Sequence, residues 1–329
     1  MSGGMELYLH IPFCVKKCAY CDFLSFPSGQ EIQRQYAKRL MEDINVMGKR
    51  YGEIPVETIF IGGGTPSVPD SGLIVEIMEH VRHAFHVADG AEISMEANPG
   101  TVTREKLTDY RRAGINRLSF GLQSANDREL KLLGRIHTWA EFLESFHLAR
   151  ECGFTNINID LMSALPGQTR ESWKDTLKRV TDLNPEHISA YSLIIEDGTP
   201  FGEKYGSEEG RKLLPDEDSE REMYHETKRF LRDCGYERYE ISNYAKPGRA
   251  CRHNIGYWTG LPYLGLGLGA SSYMDGCRFA VNSDMKQYLE EKPGMFTDVE
   301  KLTKKDMEEE FFYVGLRMTA GVSLPEFER

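Results

Sequence analysis

Before residue 195, short apolar runs alternate six times with longer amphipathic stretches, and this alternation limits the possible folds more than any other feature. LYLHI precedes a helical pattern over 31–51, VETIFI one over 71–85 and AEISMEA one over 104–113. NRLSFGLQ is followed by 126–153, TNINIDLM by 170–183, and HISAYSL closes the series near residue 190. A period that switches in this way predicts parallel strands joined by crossover helices. Six units that stop short of eight predict an α/β fold, a partial (β/α)6 TIM-like barrel, with an open doubly wound sheet as the alternative. The barrel is favoured by what ends each strand candidate. Cys14, Cys18 and Cys21 follow the first; Gly62, Gly63, Gly64, Thr65 and Pro66 the second; Glu96, Ala97 and Asn98 the third. Gln123 and Ser124 follow the fourth, Asp160 the fifth, and Tyr191 and Ser192, before Ile194, the sixth. In a barrel these ends converge on one pocket.

The alternation fails after residue 195, so residues 5–215 are read as the barrel and 216–329 as a smaller C-terminal α+β region. That region holds a helical pattern over 216–234, the segments RYEISNYAKPG, HNIGYW and YLGLGLGASSY, and an amphipathic stretch over 304–319. Ser323 and Glu326 have the spacing of a capping box, yet the sequence ends at Arg329. Isolated helices need roughly 12 residues, so a C-terminal element is expected to be absent from this chain. Seven cysteines without a paired framework predict a reducing, cytoplasmic setting. No apolar run approaches the roughly 20 residues of a membrane span. A net charge of −11 argues against a nucleic-acid partner and leaves room for a local basic pocket.

Cys14, Cys18 and Cys21 form a C-x3-C-x2-C pattern in a loop just past a strand, after Pro12 has ended strand hydrogen bonding. Two readings fit. A tetrahedral zinc site would complete its ligand count with His10. A cubane iron–sulfur cluster held by three thiolates would keep one iron open to an external ligand. The other four cysteines, Cys152, Cys234, Cys251 and Cys277, are scattered and read as free thiols; no C-x-x-C-H haem attachment is present.

The triplet, with the aromatic Tyr20 just before its last cysteine, resembles the signature of the radical S-adenosylmethionine (SAM) enzymes. The resemblance implies a [4Fe-4S] cluster on Cys14, Cys18 and Cys21, with the amino and carboxylate groups of SAM on the open iron. An electron from the reduced cluster then cleaves the sulfonium to give a 5′-deoxyadenosyl radical. GGGTPS, MEANPG, SFGLQSANDRELKLLGRIHT, NIDLMSALPGQT and YEISNYAKPG extend the likeness to the oxygen-independent coproporphyrinogen III oxidase family over essentially the whole chain. Within that family the oxidases carry a further cysteine two places after the third. Here Phe23 occupies it, and together with HNIGYW this is similar to the radical SAM haem chaperones.

The resemblance also assigns cofactor contacts. Gly63, Gly64 and Thr65 lack the G-x-G-x-x-G and lysine elements of nucleotide loops and can form an ordinary tight turn; the family places the methionine end of SAM against them. Glu96 is implied to bind the amino or ribose part. Gln123, Arg135, Asp160 and Ile194 match positions that contact SAM or a second SAM-like ligand, although Arg135 can equally be a helix-surface charge. Asp160 ends an apolar strand and needs a partner, expected to be ribose hydroxyls or Arg135. Tyr8 fits a contact beside the cluster or plain core packing. His253 is the candidate haem ligand: a lone histidine is most often structural, but this one follows Arg249 and Arg252 and precedes Tyr257 and Trp258. Such a group offers an axial imidazole, aromatic packing faces and arginines for propionates. The expected function is haem binding and delivery, with SAM and haem as ligands, flavodoxin or ferredoxin as electron donor, and haem-acceptor proteins, membrane-bound ones included. The second reading is an oxidase that decarboxylates two propionates of coproporphyrinogen III to vinyl groups.

Overall fold

The six apolar runs form six neighbouring parallel strands: β1 Met5–Ile11, β2 Val56–Gly63, β3 Val87–Ala97, β4 Arg117–Gln123, β5 Ile157–Ser163 and β6 His187–Ser192. This is seen in a computed structural model that describes residues 3–327. The crossovers carry α1 Gln30–Tyr51, α2 Ser71–Ala84, α3 Arg104–Arg112, α4 Asp127–Leu132, α5 Trp139–Glu151 and α6 Arg170–Thr181. Caps set the helix starts. Asp70, Thr103 and Thr138 each accept a hydrogen bond from a first-turn N–H, and Thr138 with Glu141 completes a capping box.

Strand alternation divides the two faces of the sheet chemically. Leu7, Leu9, Ile59, Ile61, Leu118, Phe120 and Ile159 point to the helices and pack with Leu40, Ile44, Met78, Phe142 and Trp173 in one continuous core. The opposite phase is polar: Glu6 and His10, Thr58, Ser94 and Glu96, Arg117 and Ser119, Asn158 and Asp160, His187 and Ser189. A closed TIM barrel fills its interior with branched apolar residues. Here the interior is built from hydrogen-bonding groups.

The sheet does not stop at six strands. After the short helices α7 Pro200–Tyr205 and α8 Glu208–Arg211 and the longer α9 Glu217–Asp233 come strands β7 Glu237–Arg238 and β8 Asn243–Ala245; β8 pairs antiparallel with β6, and β7 antiparallel with β8. The chain then forms α10 Arg252–Trp258 and returns to the other edge, where β9 Tyr263–Leu266 pairs parallel with β1. β10 Ser271–Met274, β11 Cys277–Ala280 and β12 Thr297–Lys301 follow antiparallel, with α11 Met285–Glu290 between the last two. The sheet order is β12-β11-β10-β9-β1-β2-β3-β4-β5-β6-β8-β7. Asp216, where the second region was expected to begin, is the N-cap of α9, and the strands beyond it extend both edges of the barrel sheet.

The sequence pattern over 126–153 predicts one helical stretch; the chain instead forms α4 and α5 with a loop between them. The loop delivers Arg135 to the cysteines. α12 Lys304–Gly315 and α13 Leu324–Phe327 end the structure; the Glu326 side chain of the expected capping box lies outside the described residues. Among the described residues no helix is long and apolar enough to cross a membrane.

Candidate functional site

The loop after β1 is an arch with a fixed base. Phe13 and Phe26 form an isolated bridge, Cys14 N–H donates to Phe26 O (3.1 Å) and Phe26 N–H to Pro12 O (2.9 Å). Its crown is tied sideways, since Ala19 N–H donates to Leu133 O and Phe201 N–H to Ala19 O. Leu133, Met162, Leu165, Phe201 and Tyr205 form a small apolar cluster against Ala19 and Tyr20. The arch therefore holds its shape through both neighbouring loops. Cys14, Cys18 and Cys21 are partly exposed and line a cavity of about 400 Å³ at the C-terminal ends of the strands.

Gly63, Gly64, Thr65, Glu96, Gln123, Arg135, Asp160, Tyr20 and Ile194 line the same cavity, so most of the residues assigned by resemblance meet there. Ile194 is an exposed rim residue. Two do not line it. Tyr8 lies deeper in the barrel, where its hydroxyl bonds His10 Nδ1 at 2.9 Å and its ring stacks on Phe60. His253 sits at the opposite end of the lumen.

The glycines of GGGTP have a packing reason as well. Gly63 has φ +102°, and a Cβ there would stand 2.3 Å from the His10 ring; one on Gly64 would meet Ile11 O and Phe13 N at 2.8 Å. The turn lies directly against the base of the cysteine arch, with Gly64 N–H and Thr65 N–H donating to Ile11 O and Phe13 O. Thr65 Oγ1 is 3.5 Å from Cys14 Sγ and accepts from Asn98 Nδ2 at 2.7 Å. Asn98 Oδ1 in turn accepts from Arg135 Nη2 at 2.6 Å, and Arg135 Nη1 lies 3.6 Å from Cys18 Sγ. Arg135 is thus an interior cation beside a thiol, not a helix-surface charge. Its Nε is buried without a partner among the described residues.

Asp160 corrects one expectation. Its oxygens accept from Ser119 Oγ (2.9 Å) and Asn158 Nδ2 (2.7 Å), while Arg135 turns to Asn98 and Gly121 O. Burial raises the Asp160 pKa against these hydrogen bonds. Glu96 is pushed up to about 8, by burial first and then by the neighbouring Asp160 charge, with Gly63 N–H at 3.0 Å opposing. Gln123 has φ 72° beside a register shift at the end of β4, a conformation that ordinary side chains avoid. Its Oε1 accepts from Tyr191 Oη at 2.9 Å. Asn98 and Tyr191 stand out in the sequence only as strand-end residues. Ser119 and Asn158 carry no signal except their inward phase.

The zinc alternative fails on His10, whose ring nitrogens are engaged by Tyr8 Oη and Leu24 O, each at 2.9 Å. Among the described residues no three His, Cys, Asp or Glu side chains converge as closely as a single metal ion requires. Three thiols spread around a cavity mouth, with no fourth donor beside them among the described residues, suit a larger cluster that keeps one position open. The buried carboxyls and the unpartnered Arg135 Nε opposite suit a zwitterionic ligand. Burial raises the Cys21 thiol pKa, so loading this donor set releases protons.

His253 lies 1% exposed in a network of its own. Thr58 Oγ1 stands 2.7 Å from His253 Nδ1 and 3.1 Å from Glu6 Oε1, and His253 Nε2 stands 3.0 Å from Tyr257 Oη. The ring stacks on Phe60, and burial lowers its pKa to about 3. Glu92 caps the start of α10 by accepting from Arg252 N–H and His253 N–H. HNIGYW is therefore a short helix plugged into the barrel, with both imidazole nitrogens occupied, rather than an open haem ligand. Tyr257 and Trp258 do line a cleft of about 190 Å³ with Tyr263, Tyr273, Arg278 and Met307, whereas Arg252 is paired with Glu57.

Glu6 and Glu96 both hold their protons to about pH 8, while unfolded glutamates release theirs near 4.5. Between those values the unfolded chain binds fewer protons, so stability falls as pH rises. Protein free of cluster and SAM is expected to unfold at a lower temperature at pH 8 than at pH 5.5. Glu6→Gln should flatten that slope; an equally steep slope in the variant would refute the assignment.

Comparison with known proteins agrees with this architecture. The Radical SAM superfamily pattern matches residues 8–180. Heme chaperone HemW of Bacillus subtilis is 38% identical over 97% of this chain and 85% of its own length. Heme chaperone HemW of Escherichia coli is 42% identical over 81% and 69%. The solved structure of coproporphyrinogen III oxidase (HemN) from Escherichia coli, described as a radical SAM enzyme, superposes with a TM-score of 0.82 at 27% identity, covering 95% of this chain and 75% of that one. The fold, the three-thiol cavity and these relatives together make the chain a member of the Radical SAM superfamily and, within it, of the HemW family.

Proposed function

We propose that this chain binds a [4Fe-4S] cluster through Cys14, Cys18 and Cys21, binds SAM in the adjoining cavity, and carries haem to acceptor proteins. The single observation that carries the cofactor reading is the placement of three thiols, with no fourth among the described residues, around a cavity that Glu96, Asp160 and Arg135 also line. The haem reading is supported by the names of the HemW relatives and by Phe23, 65% exposed at the cavity, in the place of the oxidases' further cysteine. When bound, the cluster and SAM supply one-electron chemistry. The chain's own part is positioning. Arg135, fixed by Asn98, sets the electrostatics beside Cys18; Glu96 offers carboxyl oxygens to an ammonium, whose charge favours loss of the Glu96 proton; and Asp160, held by Ser119 and Asn158, offers oxygens to hydroxyls. The cleft of Tyr257 and Trp258 provides aromatic faces for a planar ligand.

The test uses protein reconstituted without oxygen and supplied with SAM. Haem titration is expected to produce a Soret band with a defined stoichiometry, and coproporphyrinogen III is expected to be recovered unchanged. Glu96→Gln and Asp160→Asn should each weaken SAM binding roughly tenfold, from the loss of a charged hydrogen bond, while iron content stays at the parent level. Release of carbon dioxide and appearance of vinyl groups would instead establish the oxidase reading.

A further inference from the structure

Arg117 opens β4 at the end of the barrel away from the cysteines and is 2% exposed. Its side chain makes one long hydrogen bond among the described residues, Nη1 to Ser94 Oγ at 3.4 Å, and its Nε is buried with no partner. Glu92 acts on it electrostatically but is committed elsewhere, to the N–H groups of Arg252 and His253 and the thiol of Cys251. A buried guanidinium left in this state is costly unless something else completes it.

Arg117 faces a cavity of about 230 Å³ walled by Ser119, Asn158 and Ser189 of the barrel and by Asn243 and Asn254 of the C-terminal region. Asn243 Oδ1 is a second buried polar atom without a partner among the described residues. Glu96, Ser119, Asp160 and Tyr191 line this cavity and the larger one alike, so the two adjoin. We propose that the lumen is a carboxylate subsite, in which Arg117 pairs with a single carboxylate and the surrounding hydroxyls and amides satisfy its remaining lone pairs. The planar guanidinium fork matches a carboxylate. One cation beside Glu96 and Asp160 matches a monoanion, since a dianion would add repulsion that it cannot offset. The carboxylate can come from a propionate arm of a porphyrin or from a free small acid; the subsite goes beyond the haem reading and stands without it.

The experiment titrates [1-13C]propionate into the cluster-reconstituted protein and follows it by carbon NMR, alongside optical titrations with haem and with haem dimethyl ester. Propionate is expected to bind the parent and to bind Arg117→Met at least tenfold more weakly, with Arg117→Lys in between. If the source is a porphyrin arm, haem binds the parent at least tenfold more tightly than its ester, and the difference vanishes in Arg117→Met. If it is a free acid, haem and ester behave alike in both proteins while propionate still discriminates. Should Arg117→Met not fold, Asn243→Ala, which keeps the cation, is expected to weaken propionate binding at the same wall. Folded variants that bind propionate and haem like the parent overturn the subsite. Failure of the parent to bind haem, with propionate binding intact, overturns the haem reading only.

Discussion

Cys18→Ala protein, reconstituted with iron and sulfide under anaerobic conditions, is expected to retain roughly a tenth or less of the parent's iron, which should be about four atoms per chain. Cys18 sits on the crown of the arch, beside the Ala19 tie to Leu133 O and next to Arg135 Nη1. The backbone ties do not involve its sulfur, so the arch should keep its path and lose a donor rather than collapse. Two thiolates cannot hold a cubane. Iron analysis and the brown absorbance decide the outcome, and circular dichroism confirms the fold. A full complement of iron in the variant would remove Cys18 from the ligand set. Tight stoichiometric zinc in the parent purified without oxygen would return the zinc reading and require His10 to leave both of its present partners.

The second large effect is on stability. His253→Ala removes a ring stacked on Phe60 and leaves Thr58 Oγ1 and Tyr257 Oη with one partner fewer. A buried ring replaced by a cavity, together with stranded hydroxyls, costs about 3 kcal/mol. For a chain of this size that is expected to lower Tm by about 4 °C. The Soret band of haem added to the folded variant should match the parent's, because the imidazole is enclosed where no ligand reaches it. A Tm like the parent's, with a shifted or lost Soret band, would restore His253 as the iron ligand.

Periodicity reveals those parts of the structure where one face is apolar. β1 to β6 and the helices α1, α2, α3 and α6 fall within a few residues of their expected positions, because their outer faces repeat at the strand or helix period. The cysteine arch and the strand-end residues are also legible, since thiols, glycine runs and terminal carboxyls are unusual choices for a core. What escapes the sequence is decided by tertiary contact. The expectation of one helical stretch over 126–153 passes over two local signals, Gly134 at φ 74° after α4 and the Thr138–Glu141 capping box before α5, and the turn between them carries Arg135 to Asn98 and Cys18. Asp160 and Arg135 look complementary, but Ser119 and Asn158, on the neighbouring inward positions, meet the carboxylate first. HNIGYW has the residue types of a haem site, and the Thr58 hydroxyl, the Phe60 ring and the Glu92 carboxylate that let it bury as a plug are written elsewhere in the chain. The two-residue and four-residue strands at the sheet edges are too short to show a period at all.

The pairing of β1 with β9 has a consequence for biosynthesis. Glu6 aligns with Tyr263 and Leu9 with Leu266, so the strand that leads into the cysteine arch has one unpaired edge until residues 263–266 have been made. Pairings across such a separation form slowly, and an open strand edge invites association with other chains. Iron loaded onto the nascent arch would sit on a strand with half of its hydrogen bonds missing. Cluster insertion therefore belongs after β9 has been made, and a translational stall before residue 263 would yield a product that has all three thiols on a strand paired along one edge only.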